Sequence, residues 1–319
     1  MQVHFQLNEL PRFKNAVITI GTFDGVHTGH QSILRTLMEQ AVFFEGEAIV
    51  ITFHPHPRRV LSNPDAPALL TSLDERIERF QKHGIDHLVI VPFDPSFAEM
   101  SAEQYIKDFL IAHFNPRCIV IGYDHRFGKN RTGDFTMLSE MGKRNGYTVC
   151  EIPETMLNAS SISSTNIRQA LLNGNIGMAN DLLSYPFQLS GIVVEGDKLG
   201  RTLGFPTANL YVTDSDKLIP SSGVYAVMVQ LREQQQTRYF KGMMNIGYRP
   251  TVNGKERRIE VHIFDFDEEI YGNKLKVELV AYTRKEMKFS GLDALKAQLN
   301  KDKSDINILL QDFNAGPLS

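Results

Sequence analysis

Long apolar runs and blocks of basic residues are missing from this 319-residue sequence. No segment approaches the roughly 18 consecutive apolar residues that a membrane helix needs, so no membrane span is expected. The start of the chain, MQVHFQLNEL, lacks the basic region and apolar stretch that mark a secretory signal. We therefore expect a cytoplasmic protein that does not act at a membrane.

Cysteine is nearly absent as well, with only Cys118 and Cys150 in the chain. Each lies in an apolar, strand-like run, which favours a buried free thiol over a metal ligand or a nucleophile. A formal net charge of -3 and the lack of a Lys/Arg block argue against a nonspecific nucleic-acid surface. An anionic substrate would then be held by a few placed groups, such as backbone amides or a metal ion. The sequence leaves weak self-association open.

The first half of the chain alternates between short β-branched runs and longer segments of helical period, which is typical of βαβ units around a parallel sheet. The predicted strands are Val17 to Ile20, Ala48 to Phe53, His87 to Val91, Cys118 to Ile121 and Tyr147 to Ile152. The predicted helices are His30 to Phe43, Ser72 to His83 and Ser101 to His113. Ser101 and Gln104 form a capping box at the start of the third helix. We expect a doubly wound, Rossmann-like α/β domain over residues 1–184.

After about Ser184 the pattern changes to short strands separated by turn residues. The predicted strands are Gln188 to Glu195, Val224 to Leu231, Tyr239 to Asn245, Arg258 to Phe264 and Lys274 to Tyr282. Asn253 and Gly254, between two of these runs, indicate a tight hairpin. Terminal helices are predicted at Leu292 to Leu299 and Asp305 to Phe313. The fold class is therefore α/β plus β, with a small β-barrel or sandwich and terminal helices over residues 185–319.

A glycine-rich motif, GTFDGVHTGH, runs from Gly21 to His30 between the first predicted strand and the first predicted helix. In a doubly wound sheet, ligands bind at the carboxyl ends of the strands, and a helix start there offers free N–H groups to phosphate. The glycines let the backbone approach a nucleotide closely. His27 and His30 can donate hydrogen bonds to a phosphate as charge builds on it. The alternative is a tight turn that carries two surface histidines.

A second motif, SSTNIR, spans Ser163 to Arg168 and precedes a predicted helix from Ile167 to Leu172. Hydroxyl side chains at a helix start are ordinary N-caps. Arg168, however, lies in the predicted first turn, where the helix dipole gives a cation no support. An anion bound at the helix start would explain this arginine. The motif is therefore either a cap or part of a phosphate site.

Taken together, HxGH after the first strand and SSTxIR after the last strand resemble the nucleotidyltransferase superfamily, whose members attack the α-phosphate of ATP and release pyrophosphate. Class I aminoacyl-tRNA synthetases share the first signature, but their lysine-rich second loop is not found here. The resemblance narrows to the FMN adenylyltransferase domain of bacterial FAD synthetases, whose successive motifs match GTFDGVHTGH, TFHPHP, PFD, MSAEQYI and GYDHRFG.

This resemblance implies a set of site residues in the first half. Those implied to hold ATP are Gly21, Phe23, Asp24, His27, Gly29, His30, Ser163, Ser164, Thr165 and Arg168, and those implied to contact the flavin are Asp124 and Phe127. Within the ATP set, His27, His30 and Arg168 are implied to act in catalysis. His125 departs from the family pattern, because many members have phenylalanine there. His54 and His56, flanked by prolines, are either ligand contacts or part of a rigid polar loop.

The second half has its own glycine-rich stretch, GDKLGRTLGFPTANL, which starts at Gly196. Gly196, Gly200 and Gly204 would let a flap close over phosphates. Thr207 and Asn209 offer oxygens of the hard kind that Mg²⁺ prefers. The spacing matches neither a Walker loop nor a protein-kinase glycine loop. The pattern alone predicts no more than a barrel that binds a small molecule.

The second half resembles riboflavin kinase over nearly all of its length. The segments that carry this resemblance are GRTLGFPTANL, GVYA, NIGYRPT, EVH, and FDF followed by YG. In that family the PTAN threonine and asparagine organise Mg²⁺ and the ATP phosphates, and a downstream glutamate activates the ribityl 5′-hydroxyl. The resemblance implies these roles for Thr207, Asn209 and Glu260, the last of which would otherwise be an exposed strand carboxylate. It also implies ATP contacts by Gly196, Gly200 and Arg201 and flavin contacts by Arg284 and Phe289.

Both halves thus point to one route of FAD biosynthesis. We predict a bifunctional enzyme whose second domain converts riboflavin and ATP to FMN and ADP, and whose first domain converts FMN and ATP to FAD and pyrophosphate, with Mg²⁺ as cofactor. One rival is a monofunctional FMN adenylyltransferase with a flavin-binding, non-catalytic barrel, which would lack the kinase residues. A second rival is an RNA-binding barrel, and the lack of a basic, aromatic-rich strand face argues against it.

Overall fold

The computed structural model describes residues 1–61, 66–154, 162–196, 199–233, 236–251 and 254–313. Internal packing divides the chain into two compact units, Met1–Ser164 and Thr165–Ser319. This division lies ahead of the predicted domain boundary after Ser184, which stays a prediction. Among the described residues, no helix is both long enough and apolar enough to cross a membrane.

The first unit is built on a six-stranded sheet. Its strands are β1 (Gln2–His4), β2 (Val17–Ile20), β3 (Ala48–His54), β4 (His87–Pro92), β5 (Cys118–Gly122) and β6 (Thr148–Ile152). They lie in the order β1-β4-β3-β2-β5-β6, and all neighbouring pairs are parallel. After β2 the chain first builds outward on one side with β3 and β4, and then on the other with β5 and β6. The topological switch point therefore lies between β2 and β5, and the predicted doubly wound fold is confirmed.

Helices accompany these strands along the chain. They are α1 (Thr28–Phe43), α2 (Pro57–Val60), α3 (Leu73–Lys82), α4 (Pro95–Ala98), α5 (Ala102–Gln104), α6 (Ala112–Phe114) and α7 (Phe135–Asn145). A π-helical segment, Tyr105–Ile111, joins α5 to α6. The predicted capping box is confirmed, because the Ser101 hydroxyl accepts from Gln104 N at 3.2 Å and Gln104 Oε1 accepts from Ser101 N at 3.0 Å.

Apolar residues cover both faces of this sheet, because successive side chains of a strand point to opposite sides. Ile18 of β2 packs in one buried cluster with Phe109, whereas the adjacent Val17 packs in another with Phe80. Cys118 lies in the second cluster as a buried free thiol, as predicted, and burial raises its pKa. Cys150 is also free but only partly buried.

The second unit contains a closed barrel of antiparallel strands. They are β7 (Phe187–Val194), β8 (Ala208–Tyr211), β9 (Gly223–Glu233), β10 (Gln236–Thr251), β11 (Gly254–Ile263) and β12 (Lys274–Arg284), in the order β10-β11-β8-β7-β12-β9. The barrel alternative is thus confirmed over the sandwich. β10 and β11 pair as a hairpin with Thr251 opposite Gly254, while Asn253 lies outside the described residues. The helices are α8 (Ser164–Leu172), α9 (Ile176–Leu183), α10 (Leu199–Thr202) and α11 (Leu292–Leu309).

The prediction of two terminal helices is wrong, since α11 is continuous. The polar stretch NKDKS, from Asn300 to Ser304, interrupts the apolar period and suggested a break. Its central Asp302 is nevertheless buried, because it binds Arg284 of β12, and Ile306 one turn later is buried as well. Seven of the strands and helices given above were not predicted from the sequence: β1, β8, α2, α4, α7, α9 and α10.

Candidate active sites

A strained turn connects β2 to α1. Phe23 and Val26 have φ angles of 49° and 39°, which are unusual for any residue with a side chain and most unusual for a β-branched one. Such strain is often found at binding sites. Helix α1 begins at Thr28 rather than at His30 as predicted, with His27 as its N-cap: Nδ1 of His27 accepts from His30 N at 3.4 Å. Both histidines therefore lie at the helix start.

The two histidine rings of this turn stack on each other, with centroids 3.6 Å apart and an interplanar angle of 17°. Nδ1 of His30 is buried and has no hydrogen-bond partner among the described residues. Burial, with smaller contributions from His27 and Arg76, lowers the pKa of His30 well below its usual value of 6.5. His30 is thus neutral at pH 7. A buried polar atom without a partner is costly, so a ligand that pairs with it would be stabilised.

Asp24 lies at the centre of the same turn, where its side chain is 3% exposed. Its carboxylate accepts from Leu70 N at 2.9 Å and from Thr71 N at 3.1 Å. Its backbone carbonyl accepts from the Ser164 hydroxyl at 3.0 Å. Asp24 therefore ties the turn to residues 70–71 and to the start of the SSTNIR motif. An ATP contact by its carboxylate stays a prediction.

Two glycines of the first motif are closely packed. A Cβ built on Gly21 would lie 3.2 Å from the Phe23 ring, and one on Gly29 would lie 3.3 Å from the His27 ring and 3.6 Å from Ile162. Residues just before Ser163 and Ser164 thus pack against the turn. The structure thus brings the first motif and the start of the second motif together within the first unit.

Thr165 and Arg168 belong to α8 and to the second unit. Because this helix starts at Ser164 instead of Ile167, Arg168 lies in the second turn and not in the first turn as predicted. The dipole argument for an anion beside Arg168 is correspondingly weaker. Its implied role in catalysis stays a prediction.

The predicted flavin residues follow β5, next to β2 at the switch point. Asp124 is exposed, whereas Phe127 is only 5% exposed and stacks on Tyr105 with centroids 5.0 Å apart. A Cβ on Gly133 would overlap atoms of the Phe127 ring. A flavin contact by Phe127 therefore rests on the resemblance alone. His125 has a buried Nε2 with no partner in the described part of the chain, and burial lowers its pKa to about 4.

The other motifs of the first half also follow strand ends. Since β2, β3, β4 and β5 are parallel, the segments after them lie along one edge of the sheet. His54 ends β3 and is exposed, while Nδ1 of His56 accepts from Arg58 N at 3.2 Å and caps α2. The rigid polar loop is thus the better interpretation for His56.

Arg76 of α3 is a buried residue of this region that sequence reasoning missed. Its Nη1 donates to the Thr22 carbonyl oxygen at 2.5 Å and to Thr52 Oγ1 at 3.3 Å. It thereby connects the turn between β2 and α1 to β3. The sequence carried little signal for it, because an arginine on an amphipathic helix is usually on the solvent side.

In the second unit, Glu260 of β11 lies between two asparagines. It is directly opposite Asn209 of β8 and directly opposite Asn245 of β10. Residues opposite each other in an antiparallel pair point to the same face, with Cβ atoms roughly 5 Å apart. Thr207 comes immediately before β8, two residues before Asn209. The barrel therefore brings the predicted kinase residues together.

The glycines of the PTAN region pack against these residues. A Cβ on Gly196 would overlap the side-chain amide of Asn209, and a Cβ on Gly200 would overlap the Phe205 carbonyl and lie 3.5 Å from Thr207 Oγ1. Arg201, in contrast, is exposed and pairs with Glu269 at 3.6 Å. A cavity of about 340 Å³ adjoins this region, and its lining includes Arg201, Thr207, Ala208, Val261, Phe266 and Glu269.

Arg284, predicted to contact flavin, is bound to helix α11. Its Nε and Nη2 donate to the two carboxylate oxygens of Asp302 at 2.6 to 3.1 Å. The Phe289 ring centroid lies 6.0 Å from the guanidinium carbon. The bidentate face of Arg284 is thus used within the protein, and its flavin contact stays a prediction, as does that of Phe289.

The oxygen donors around Glu260 suit Mg²⁺, which prefers hydroxyl, amide and carboxylate oxygens together with substrate phosphates. Thr207 and Asn209 supply the first two kinds, and Asn209 lies directly opposite Glu260. Within the described ranges, no group of three or more His, Cys, Asp or Glu side chains converges on a metal site. Mg²⁺ sites commonly combine a few protein oxygens with substrate phosphates and water.

Comparisons with known proteins give a separate family match for each half of the chain. A family model described as FAD synthetase matches residues 10–166, and one described as riboflavin kinase matches residues 183–310. The bifunctional riboflavin kinase/FMN adenylyltransferase of Haemophilus influenzae is 40% identical over 289 residues, which cover 91% of this chain and 92% of that protein. The protein of the same description from Escherichia coli K12 is 39% identical over 297 residues, with 93% of each chain covered.

A solved structure also spans the whole chain. It is described as a macrolide-efflux protein from Streptococcus pneumoniae, is 30% identical and has a TM-score of 0.84, with 98% of this chain and 100% of that chain covered. The likenesses in sequence and in structure thus extend over both units. The chain belongs to the family of bifunctional riboflavin kinases/FMN adenylyltransferases.

Proposed function

We propose that the second unit phosphorylates riboflavin to FMN and that the turn between β2 and α1 serves the adenylylation of FMN to FAD. The observation that carries the kinase assignment is the register of the barrel, which sets Asn209 opposite Glu260. The match of a riboflavin kinase family model to residues 183–310 supports a catalytic barrel over the non-catalytic, flavin-binding alternative. A cytoplasmic location stays part of this proposal.

In the kinase step, the ribityl 5′-hydroxyl oxygen attacks the γ-phosphorus of ATP. The bond from that phosphorus to the β,γ-bridging oxygen breaks, and ADP leaves. Glu260 accepts the hydroxyl proton as the new O–P bond forms, because a primary alcohol is too weak an acid to ionise at neutral pH. Because Gly196 and Gly200 have no side chain, the segment that contains them can lie against Asn209 and Thr207. Backbone groups of this segment and the two side chains would then hold the phosphates together.

In the adenylylation step, a phosphate oxygen of FMN attacks the α-phosphorus of ATP. The bond to the α,β-bridging oxygen breaks, and pyrophosphate leaves. His30, which is neutral at pH 7, donates an N–H hydrogen bond to the α-phosphate as negative charge builds there. The start of α1 offers backbone N–H groups to the same anion.

Mg²⁺ completes the proposal for the kinase site. When bound, it would neutralise charge on the ATP phosphates. Thr207 and Asn209 are the residues that would hold it, and Glu260 would remain available as the base.

The direct test is an incubation of the purified full chain with riboflavin, ATP and Mg²⁺, followed by chromatography of the flavins. We expect FMN to appear first and FAD to follow. FMN supplied in place of riboflavin should give FAD without a lag. Failure to form either product would disprove the proposal, and FAD formation from FMN alone would restore the monofunctional alternative.

A further inference from the structure

His262 makes a contact that the proposed kinase mechanism does not use. Its Nδ1 lies 2.7 Å from the carbonyl oxygen of Pro206, a residue 56 positions earlier in the chain. A carbonyl oxygen only accepts hydrogen bonds, so Nδ1 carries the proton and donates. Burial lowers the pKa of His262, although the bond to Pro206 and Asp265 act in the opposite direction and Lys303 in the same one. The ring is therefore the neutral Nδ1–H tautomer at pH 7.

The contact lies where the ladder between β8 and β11 ends. That ladder has two pairs, Glu260 opposite Asn209 and Val261 opposite Ala208. Thr207 comes next along the chain and lies outside β8. The His262 hydrogen bond holds the residue on its far side, Pro206. Thr207 is thus held on one side by the pairing of Ala208 with Val261 and on the other side by the hydrogen bond from His262 to Pro206.

Packing fixes the orientation of the imidazole. His262 is 6% exposed, and its ring meets Phe205 at a centroid distance of 5.2 Å and Phe264 at 5.6 Å. Phe205 is itself held by a hydrogen bond from its N–H to the Gly200 carbonyl at 2.8 Å. The imidazole ring is therefore fixed in position beside Phe205, the residue just before the PTAN segment (Pro206–Asn209).

We propose that His262 is a positioning residue of the kinase site, whose Nδ1–H holds the Pro206 carbonyl and thereby fixes Thr207 next to the strand in which Asn209 lies opposite Glu260. The inference rests on the proposed roles of those three residues. Residues that orient metal or phosphate ligands in this way usually affect affinity or activity by about 10- to 100-fold when they are replaced.

Two variants separate the hydrogen bond from the packing. His262→Leu removes the donor, whereas His262→Asn places an amide N–H close to the position of Nδ1 in a side chain of similar size to leucine. In riboflavin phosphorylation we expect the KM for ATP to rise about 10- to 100-fold in the Leu variant and to return close to the wild-type value in the Asn variant.

A second measurement needs neither ATP nor metal. Hydrogen exchange of the ligand-free full chain should be faster over residues 203–210 in His262→Leu and near wild type in His262→Asn, because only the Leu variant loses the tether. Asn180→Leu is the matched control: Asn180 Nδ2 also donates to a backbone carbonyl of this unit, that of Leu279, at 2.9 Å. It should lower the melting temperature and leave the KM for ATP unchanged.

Wild-type KM and exchange in His262→Leu would overturn the proposal. So would equal defects in the Leu and Asn variants with global protection intact, since packing alone would then explain them. If the wild-type protein itself formed no FMN, the proposed kinase function would fail. The exchange comparison would still decide whether His262 holds the PTAN segment.

Discussion

His30 combines several unusual properties in one side chain. It is held at the start of α1, stacks on His27 at 3.6 Å and has a buried nitrogen that no described residue pairs. The lowered pKa keeps the ring uncharged. An N–H donor that is already fixed in position can stabilise developing phosphate charge without reorganisation during the reaction.

We therefore expect His30→Ala to lower FAD formation from FMN by about 10²-fold or more, the usual effect of losing one preorganised donor. Riboflavin phosphorylation should stay near normal, because its residues lie in the second unit. His83→Ala is a suitable control, since His83 also has a lowered pKa but ends α3. Steady-state rates with FMN and with riboflavin give both numbers. Equal loss of both activities would contradict separate sites.

Glu260 provides the corresponding test of the barrel. Glu260→Gln keeps the size of the side chain but removes its basicity, so riboflavin phosphorylation should fall by about 10²- to 10⁴-fold. ATP and riboflavin affinity should change little, because a base acts mainly in the transition state. Glu278→Gln, in β12 of the same barrel, should leave the rate unchanged. A Gln variant with more than about a third of the wild-type rate, far above the range for general-base loss, would rule out Glu260 as the base.

The glycine-rich segment that starts at Gly196, called the flap here, packs closely against a residue proposed for the kinase site. Because a Cβ on Gly196 would overlap the Asn209 amide, Gly196→Ala must displace either the flap or Asn209. A displacement of about 1 Å in a positioning group can cost roughly 10²-fold, and we expect a kinase loss of that order. Gly177→Ala, where nothing lies within 4 Å, is the matched control and should be neutral. Unchanged kinase kinetics in Gly196→Ala would show that the flap does not need this close approach.

Helix α11 gives a prediction about stability. Asp302 is 4% exposed and Arg284 19% exposed, so Asp302→Asn would leave the arginine partly buried without its counter-charge. The free energy of unfolding in urea should fall by about 3–5 kcal/mol. Glu268→Gln, which weakens the more exposed bidentate pair with Arg238, should have a much smaller effect. Equal effects of the two changes would mean that Arg284 finds another partner.

The same elements show what sequence could and could not predict. Strands with strong apolar patterns, such as Val17–Ile20 and Cys118–Gly122, were found almost to the residue. β1 and β8 were missed, because strands of three and four residues carry too little pattern and depend on their neighbours for pairing. A shared role of Asn209 and Glu260 was implied by family resemblance, but the register that sets them opposite each other depends on pairing between distant segments.

Other parts of the site depend on contacts that no local pattern reveals. The bond from His262 to the Pro206 carbonyl and the bonds of Asp24 to residues 70–71 join segments far apart in the chain. The predicted ligand contacts of Asp24 and Arg284 both came from their match to family segments. In the structure, the Asp24 carboxylate and the Arg284 guanidinium both have partners within the protein. Only the folded chain brings these partners close.

Over the whole molecule, histidines are distributed unevenly: all of them except His262 lie in the first unit. The pKa values of His4, His30, His83 and His125 are lowered, mainly by burial. A lowered pKa in the folded state means that the unfolded state binds protons more readily below the unfolded value of 6.5. The stability of the first unit is therefore fully present above about pH 6.5 and decreases as the pH falls toward the folded values.

For His125, whose folded pKa is about 4, acidification from pH 7 to pH 5 should cost about 2 kcal/mol of unfolding free energy. The other three histidines add to this loss, whereas the second unit has His262 alone, so we expect the first unit to lose more stability. Native-state hydrogen exchange at the two pH values, corrected for its intrinsic pH dependence, measures each unit separately. His125→Phe keeps an aromatic ring beside Phe127 and should reduce the loss in the first unit by about 2 kcal/mol. The same loss in that variant as in wild type would show that His125 is not protonated on unfolding in this range, and the pH dependence would then have to come from the remaining histidines.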